Sequence, residues 1–292
     1  MSDVIVARSL DEARSALADR PEATVLAGGT DLMVEINRGW RRPRHVVGVA
    51  QVPELGQWST AADRVIVGSG VTYTEMMTGP LADAAPALAQ AARTVGSPPI
   101  RNAGTLGGNL ATASPAGDTL PVLAALNARI VVAGPGGERR LGLDELMVGV
   151  KQTSLRPGEL IVRAELDRPP GRQEFLKIGP RNAMVISIAS VALVADHDAR
   201  SVRCALGAVA PGIPRTNDAE RWAADRIDWD GDTPLDPAVA DEFGRRVAAA
   251  SAPIDDHRAS AAYRRHAVGV LAGRALRRAF NGSSPDTDTE VS

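Results

Sequence analysis

Residues 95–118 read VGSPPIRNAGTLGGNLATASPAGD, and this stretch decides which folds the chain can adopt. It is nearly uncharged, and its two adjacent prolines are followed by Gly104, Gly107, Gly108 and Gly117. Prolines and glycines oppose both a long helix and a central strand. The composition instead favours a backbone that approaches a ligand closely, with its N–H groups facing outward.

A shorter stretch, VLAGGTDL at residues 25–32, has the same character. A short strand is predicted before it and a helix from Leu32 to Arg38, so Gly28 and Gly29 lie at a strand–helix junction. Free N–H groups and the helix dipole make such a junction suitable for a pyrophosphate. The alternative is a glycine turn that serves packing alone. Two backbone cradles in one chain suggest a single large ligand that carries phosphates.

Composition excludes several classes of function. The chain has 292 residues, enough for two domains, and its net charge of -2 and 3% aromatic content give no reason to expect nucleic-acid or membrane-surface binding. Its single cysteine, Cys204, can form neither an internal disulfide nor a four-ligand iron–sulfur site. No apolar run approaches the length of a membrane span, which predicts a cytoplasmic protein without membrane insertion.

Few side chains in the sequence are suited to difficult chemistry. The four histidines are scattered without metal-ligand spacing, and Cys204 alternates with apolar residues as a buried thiol would. We therefore predict no catalytic residue and no metal site on this chain. A bound cofactor is expected to carry the chemistry, while the protein binds and tunes it.

The order of predicted elements indicates two domains. Short strands and helices alternate as far as Pro169-Pro170-Gly171, which is the candidate boundary. Beyond it, residues 184–209 predict an antiparallel hairpin, and Arg258 to Phe280 predicts an amphipathic helix. Residues 281–292 contain almost no apolar side chains and are expected to be disordered.

Three motifs, Ala27–Leu32, Ile100–Asp118 and Lys177–Ala183, together resemble the FAD-binding (medium) subunit of molybdenum-containing hydroxylases. That family includes the carbon monoxide dehydrogenase flavoprotein and the flavin domain of xanthine dehydrogenase. Ala261–His266 is similar to the last helix of the family, and the likeness extends over about residues 3–280. Val185-Ile186 stands where the family often has Asp-Ile after the third motif. A side-chain contact that the aspartate would make is therefore in question for this chain.

The resemblance implies an α+β fold. Its first part, residues 1–170, would be a vanillyl-alcohol-oxidase-type (PCMH-type) FAD-binding domain of two α/β subdomains, at about 1–57 and 58–170. Its second part, residues 171–280, would be a domain of a three-stranded antiparallel sheet with helices, followed by the tail 281–292.

The resemblance also implies which residues hold a non-covalent FAD. They are Val25, Leu26, Ala27, Gly28, Gly29, Thr30, Asp31, Leu32, Val95, Thr105, Leu106, Gly107, Gly108, Asn109, Asp118, Ile161 and Lys177. Asp118 would accept a hydrogen bond from cofactor hydroxyls, and Lys177 would stabilise negative charge on the reduced ring or, alternatively, be a surface lysine. Val95 stands where the xanthine dehydrogenase branch carries an aromatic, so a stacking contact is lost.

The implied function is that of an electron-transfer subunit. Electrons would pass from [2Fe–2S] clusters on a small subunit through FAD to an external acceptor, and a large subunit would hold the molybdopterin, in an (αβγ)₂ assembly. Two alternatives remain from the sequence. One is a free-standing flavin oxidase or reductase of the same fold, and the other is a non-enzymatic nucleotide-binding assembly protein.

Overall fold

The computed structural model describes residues 3–181, 184–231 and 234–281. The disorder predicted for 281–292 falls outside these residues except at Asn281, which is the last residue of a helix. Within the described ranges, no helix combines the length and the apolar character that crossing a bilayer requires.

The first subdomain is a small parallel sheet with two helices. Its strands run in the order β1, β3, β2, and a 3₁₀ turn at Pro53–Gly56 follows them. The first helix is capped at its N-terminus, because the Ser9 side chain accepts a hydrogen bond from the N–H of Glu12 at 3.1 Å. The elements are β1 (Asp3–Val6), α1 (Leu10–Asp19), β2 (Thr24–Leu26), α2 (Leu32–Asn37) and β3 (His45–Gly48).

The second subdomain surrounds a five-stranded antiparallel sheet of order β4, β5, β10, β6, β7, with β8 and β9 forming a separate small hairpin. Helices α3 to α8 lie between β5 and β6 in the chain. The elements are β4 (Trp58–Thr60), β5 (Arg64–Gly68), α3 (Tyr73–Met76), α4 (Gly79–Ala84), α5 (Pro86–Thr94), α6 (Pro98–Ala103), α7 (Leu106–Thr112), α8 (Thr119–Ala125), β6 (Arg129–Gly134), β7 (Gly137–Gly142), α9 (Leu143–Leu146), β8 (Met147–Gly149), β9 (Gln152–Thr153) and β10 (Leu160–Asp167).

The 95–118 stretch is more helical than the sequence suggested. It contains α6 and α7, two short helices separated at Gly104 and Thr105. The two prolines occupy the first turn of α6, where a missing N–H costs nothing. Thr105 caps α7, and Ala113 ends it in a left-handed conformation with φ of 46°. The prediction that no long helix forms here is thus correct, but the stretch is not an open loop.

The C-terminal domain contains the predicted three-stranded antiparallel sheet, in the order β11, β12, β13, with two helices against it and a third helix packed on those two. The predicted hairpin is the β12–β13 pair, although its first strand begins later than expected. The elements are β11 (Gln173–Ile178), β12 (Ala189–Asp196), β13 (Ser201–Gly207), α10 (Asn217–Ala224), α11 (Pro237–Ala250) and α12 (Ala261–Asn281).

Shared hydrophobic clusters hold these parts together. Phe175 and Ala192 of the C-terminal sheet belong to the same buried cluster as Ile130 of the five-stranded sheet. Val47 of the small sheet and Val162 of β10 belong to another. Burial of this apolar surface is the main favourable contribution to folding, so the three parts have fixed relative positions around the site described next.

Candidate functional site

The two glycine-containing stretches lie in direct contact. A Cβ atom at Gly28 would be 1.6 Å from the carbonyl oxygen of Ala103 and 3.1 Å from the nitrogen of Gly104. No side chain fits at that separation, so only glycine allows the two backbones to touch here. The sequence prediction requires the two stretches to lie close enough to share one ligand, and the contact at Gly28 shows that they are neighbours.

Two neighbouring cavities open along this contact. The first has a volume of 330 Å³ and is bordered by the whole 24–32 segment, with Asn109 opposite it. The second has a volume of 490 Å³ and is largely apolar, with Val49, Leu55 and Ile161 in its wall. Their shared lining residues are Val25, Ala27, Gly28, Thr105, Gly108, Ala111 and Leu155. One elongated ligand with a polar and an apolar part therefore suits the pair of cavities.

The first stretch has unpaired main-chain donors and borders the first cavity. In the described part of the chain, none of the backbone N–H groups from Gly28 to Leu32 donates a hydrogen bond. Gly29 has a φ of +71°, a left-handed conformation that glycine adopts without strain. Successive main-chain N–H groups without partners can bind an anion, so this segment stays the candidate phosphate site.

The second stretch differs, and here the expectation of outward-facing N–H groups is wrong. Leu106 donates to the carbonyl of Val71 at 3.0 Å and Gly107 to that of Ser69 at 2.7 Å. The N–H of Gly108 donates to the Thr105 hydroxyl at 3.1 Å, and that of Asn109 to the Thr105 carbonyl at 3.0 Å. The donors are occupied because the segment is the start of a helix, where Thr105 caps two of them and the chain just after β5 accepts the other two.

Two basic residues that the sequence interpretation did not select border the first cavity. Lys151 lies in the turn between β8 and β9, with a φ of 56° and its N–H bonded to the carbonyl of Ala113 at 3.0 Å. Arg41 bonds the Thr24 hydroxyl at 3.4 Å and lies 3.7 Å from Glu35. One sequence signal pointed to Lys151, since only two of the 33 basic residues are lysines and Lys177 is the other.

Most of the predicted site residues border the two cavities. The residues found there are Val25, Leu26, Ala27, Gly28, Gly29, Thr30, Asp31, Leu32, Thr105, Gly107, Gly108, Asn109 and Ile161. The position of Ile161 in the cavity wall coincides with a local irregularity of its strand. The register of β10 against β6 shifts between Ile161 and Arg163. Such a bulge turns a side chain toward a new direction.

The remaining four predicted residues border neither cavity. Leu106 is fully buried in the main hydrophobic cluster, and Val95 packs half-buried against the same cluster. Asp118 and Lys177 form a buried ion pair with 2.5 Å between the carboxylate oxygen and Nζ. The side chain of Lys177 is only 7% exposed, so the alternative of a surface lysine is wrong.

The buried pair joins the two domains. Asp118 lies at the start of α8 and Lys177 on β11, and Ser187 donates to the other carboxylate oxygen of Asp118 at 2.5 Å. Thr94 also donates to Asp118, at 3.0 Å, while Lys177 donates to the carbonyls of Thr94 and Val185. A buried charge needs this many partners to offset its lost hydration.

Fold and site together define an α+β protein with a candidate dinucleotide site, in which free main-chain donors lie beside two joined cavities. FAD fits the residues present on three observations: the close contact at Gly28, the free donors of the first stretch, and the apolar second cavity beside a polar one. The chain belongs to the family described as FAD binding domain in molybdopterin dehydrogenase, which matches residues 1–167. Residues 174–279 match the CO dehydrogenase flavoprotein C-terminal domain.

Relatives and solved structures agree with this membership. The nicotine 6-hydroxylase medium subunit of Paenarthrobacter nicotinovorans is 30% identical, over 92% of this chain and 93% of its own. The nicotinate dehydrogenase FAD-subunit of Eubacterium barkeri is 34% identical, over 62% of this chain and 64% of its own. A chain of the quinoline 2-oxidoreductase structure from Pseudomonas putida 86 superposes with a TM-score of 0.86 at 26% identity, covering 97% of this chain and 98% of that one.

Proposed function

We propose that this protein is the FAD-carrying medium subunit of a molybdenum hydroxylase and passes electrons to an external acceptor. The observation that carries the proposal is the pair of joined cavities, one bordered by the free N–H groups of Gly28 to Leu32 and the other apolar. The relatives are medium or FAD subunits of dehydrogenases and hydroxylases, which supports the same role.

In this proposal the segment 25–32 holds the diphosphate through its main-chain donors, and Lys151 supplies a positive charge. Thr105, Gly107, Gly108 and Asn109 form the opposite wall, and Ile161 borders the space for a flat ring. When bound, FAD supplies the ability to accept electrons from one partner and release them to another. Protein groups bind it, orient it and keep water from its apolar part.

Val95, Leu106, Asp118 and Lys177 are assigned supporting roles. Both carboxylate oxygens of Asp118 already accept hydrogen bonds, and a carboxylate has room for about four, so one further donor from a ligand can still be accommodated. Leu106 and Val95 fix the wall behind the cavities through packing.

We further propose the partners as a small subunit with two [2Fe–2S] clusters and a large molybdopterin subunit, in a cytoplasmic (αβγ)₂ complex. A chain with one cysteine cannot itself ligate such clusters. Co-expression of this chain with neighbouring open reading frames, followed by untagged co-purification and mass measurement, tests the assembly. Recovery of a lone, fully active flavoenzyme would favour a free-standing oxidase or reductase instead.

The cofactor assignment is tested on the purified full chain. Its visible spectrum should show flavin bands, or regain them when FAD is added to stripped protein. Dithionite should bleach the bands, and an added acceptor such as NAD, a quinone, cytochrome c or oxygen should restore them. A well-folded protein that neither carries nor takes up FAD contradicts the proposal, and one that binds a flavin incapable of reduction supports the assembly-protein alternative.

A further inference from the structure

Tyr73 is a buried aromatic residue at the wall of the first cavity that the FAD-site residues above do not include. It is 5% exposed, lies at the first position of α3, and borders the cavity together with Gly104 and Thr105. Its main chain is fixed there, since the N–H of Tyr73 donates to the carbonyl of Gly104 at 3.1 Å. A capping box between Thr72 and Glu75 fixes the start of the helix as well.

The ring lies closely against the second glycine-containing stretch. A Cβ atom at Gly104 would be 2.7 Å from Cε2 of Tyr73 and 3.0 Å from its Cδ2. Glycine at 104 thus makes room for the ring, which in turn has little freedom to turn away. Tyrosine loses few rotatable bonds on ordering, so its hydroxyl is held in place at small entropic cost.

The hydroxyl of Tyr73 has no protein partner in the described ranges. A buried phenol usually finds one, because an unmade hydrogen bond in the interior is costly. The hydroxyl oxygen is nevertheless not sealed from solvent, unlike the fully buried unpaired side-chain atoms of the described residues. The small accessible part of this residue therefore includes its hydroxyl, and the residue itself borders the first cavity.

Electrostatics keep this hydroxyl neutral. Burial, and after it the charges of Asp118 and Asp31, raise the pKa of the Tyr73 phenol well above its usual value. The group is therefore protonated at neutral pH, and it can donate a hydrogen bond. A neutral donor suits an anionic ligand beside Asp31, because it adds no negative charge of its own.

We infer that the Tyr73 hydroxyl is a ligand-binding donor of the first cavity and bonds the diphosphate of the bound dinucleotide. The assignment rests on the proposed function and names one further binding residue for it. It explains why a polar aromatic rather than phenylalanine occupies a position that packing alone would give to an apolar ring. Together with the free N–H groups of Gly28 to Leu32, it places side-chain and main-chain donors around one anion.

The test compares Tyr73→Phe with Tyr263→Phe in the full chain stripped of flavin. Tyr263 is the only other tyrosine and lies 44% exposed on α12, so its variant is the matched control. Affinities for FAD, ADP and riboflavin are measured by calorimetry, and flavin fluorescence gives a second readout. Thermal unfolding of the ligand-free proteins shows whether the hydroxyl matters to folding.

We expect Tyr73→Phe to weaken FAD and ADP binding by about tenfold, to leave riboflavin binding unchanged, and to leave the unfolding temperature without ligand unchanged. The control should match the wild type throughout. Equal FAD affinity in wild type and Tyr73→Phe overturns the inference, as does an equal loss for FAD and riboflavin. If the wild type binds no FAD at all, the proposed function fails first and the inference fails with it.

Discussion

The two glycine-containing stretches look alike in sequence but use their backbones in opposite ways. In the first, from Gly28 to Leu32, the N–H groups have no partner among the described residues, and the stretch borders a cavity. In the second, from Leu106 to Asn109, every N–H group is bonded within the protein. The first stretch is suited to binding a ligand, while the second forms a rigid wall. Glycine serves the first through free donors and the second through close packing.

The glycine residues of the second stretch confirm this division. A Cβ atom at Gly107 would lie 2.6 Å from Cβ of Ser69 and 2.9 Å from its carbonyl oxygen. A Cβ atom at Gly108 would meet only the Thr105 hydroxyl, at 3.2 Å. Small residues are therefore needed within one helix turn for two reasons: Gly107 allows close contact with the turn that follows β5, and Gly108 leaves open the space beside both cavities.

The largest expected effect comes from Gly28→Ala, which separates the two stretches. The new methyl group would collide with the carbonyl oxygen of Ala103. Because this oxygen belongs to the main chain, it cannot move aside by a change of rotamer. We expect a loss of about 3 kcal/mol in the free energy of unfolding and a fall of roughly 100-fold in FAD affinity. Urea unfolding and flavin titration measure these quantities.

Gly136→Ala is the control for that variant, because a Cβ atom there meets nothing within 4 Å. It should behave as the wild type in both assays. If Gly28→Ala keeps wild-type FAD affinity, the contact between the stretches does not shape the ligand site.

The second largest effect is expected for Asp118→Asn. This variant tests whether the buried ion pair of Asp118 and Lys177 stabilises the contact between the two domains. The change leaves Lys177 as a buried cation without its carboxylate. We expect the free energy of unfolding to fall by about 3 kcal/mol. In the double variant Asp118→Asn with Lys177→Met, most of this loss should be recovered, because the buried charge is gone.

A double-mutant cycle by chemical denaturation measures the coupling of this pair. Additive losses from the two single variants would contradict a close ion pair. Retention of FAD affinity by the folded single variants would assign the pair to domain docking, and its loss would assign Asp118 a contact with the ligand.

A smaller effect separates packing from binding within the second stretch. Gly107→Ala should lower the free energy of unfolding by about 2 kcal/mol because it crowds Ser69, with little change in the FAD affinity of the folded fraction. Gly108→Ala should lower the FAD affinity and leave the free energy of unfolding nearly unchanged, because its methyl group would lie beside both cavities. The same two assays distinguish the variants, and an identical profile for both would remove the distinction drawn between these glycines.

The smallest effect is expected for Lys151→Met. Removing a solvent-accessible cation from the first cavity should weaken FAD binding about fivefold in low salt, with a smaller difference at high ionic strength. Lys151→Arg should retain most of the affinity because it keeps the charge. Salt-dependent titration of FAD and riboflavin checks the assignment, and an equal effect on riboflavin would exclude a phosphate contact.

Much of the fold was accessible from the sequence, for identifiable physical reasons. The capping residues of α1, the hairpin of β12 and β13, and the amphipathic α12 are local patterns that tertiary contacts did not override. The family itself was recognisable because its three motifs contain glycines, whose positions the ligand and the backbone contacts both constrain. The site was less accessible, since which N–H groups remain free depends on distant partners.

The sequence by itself determined that 95–118 could be neither a long helix nor a central strand, that the chain could hold no iron–sulfur cluster, and that a cofactor carries the chemistry. Only the tertiary structure decided which N–H groups are bonded within the protein, because Ser69 and Val71 are far from the second stretch in the chain and accept hydrogen bonds from it. It also decided that Lys177 is buried against Asp118, and that Lys151 and Tyr73 join the first cavity. The physical reason is that the effect of a charged group or a hydroxyl depends on the groups around it. Those groups are distant in the chain and come together only when it folds.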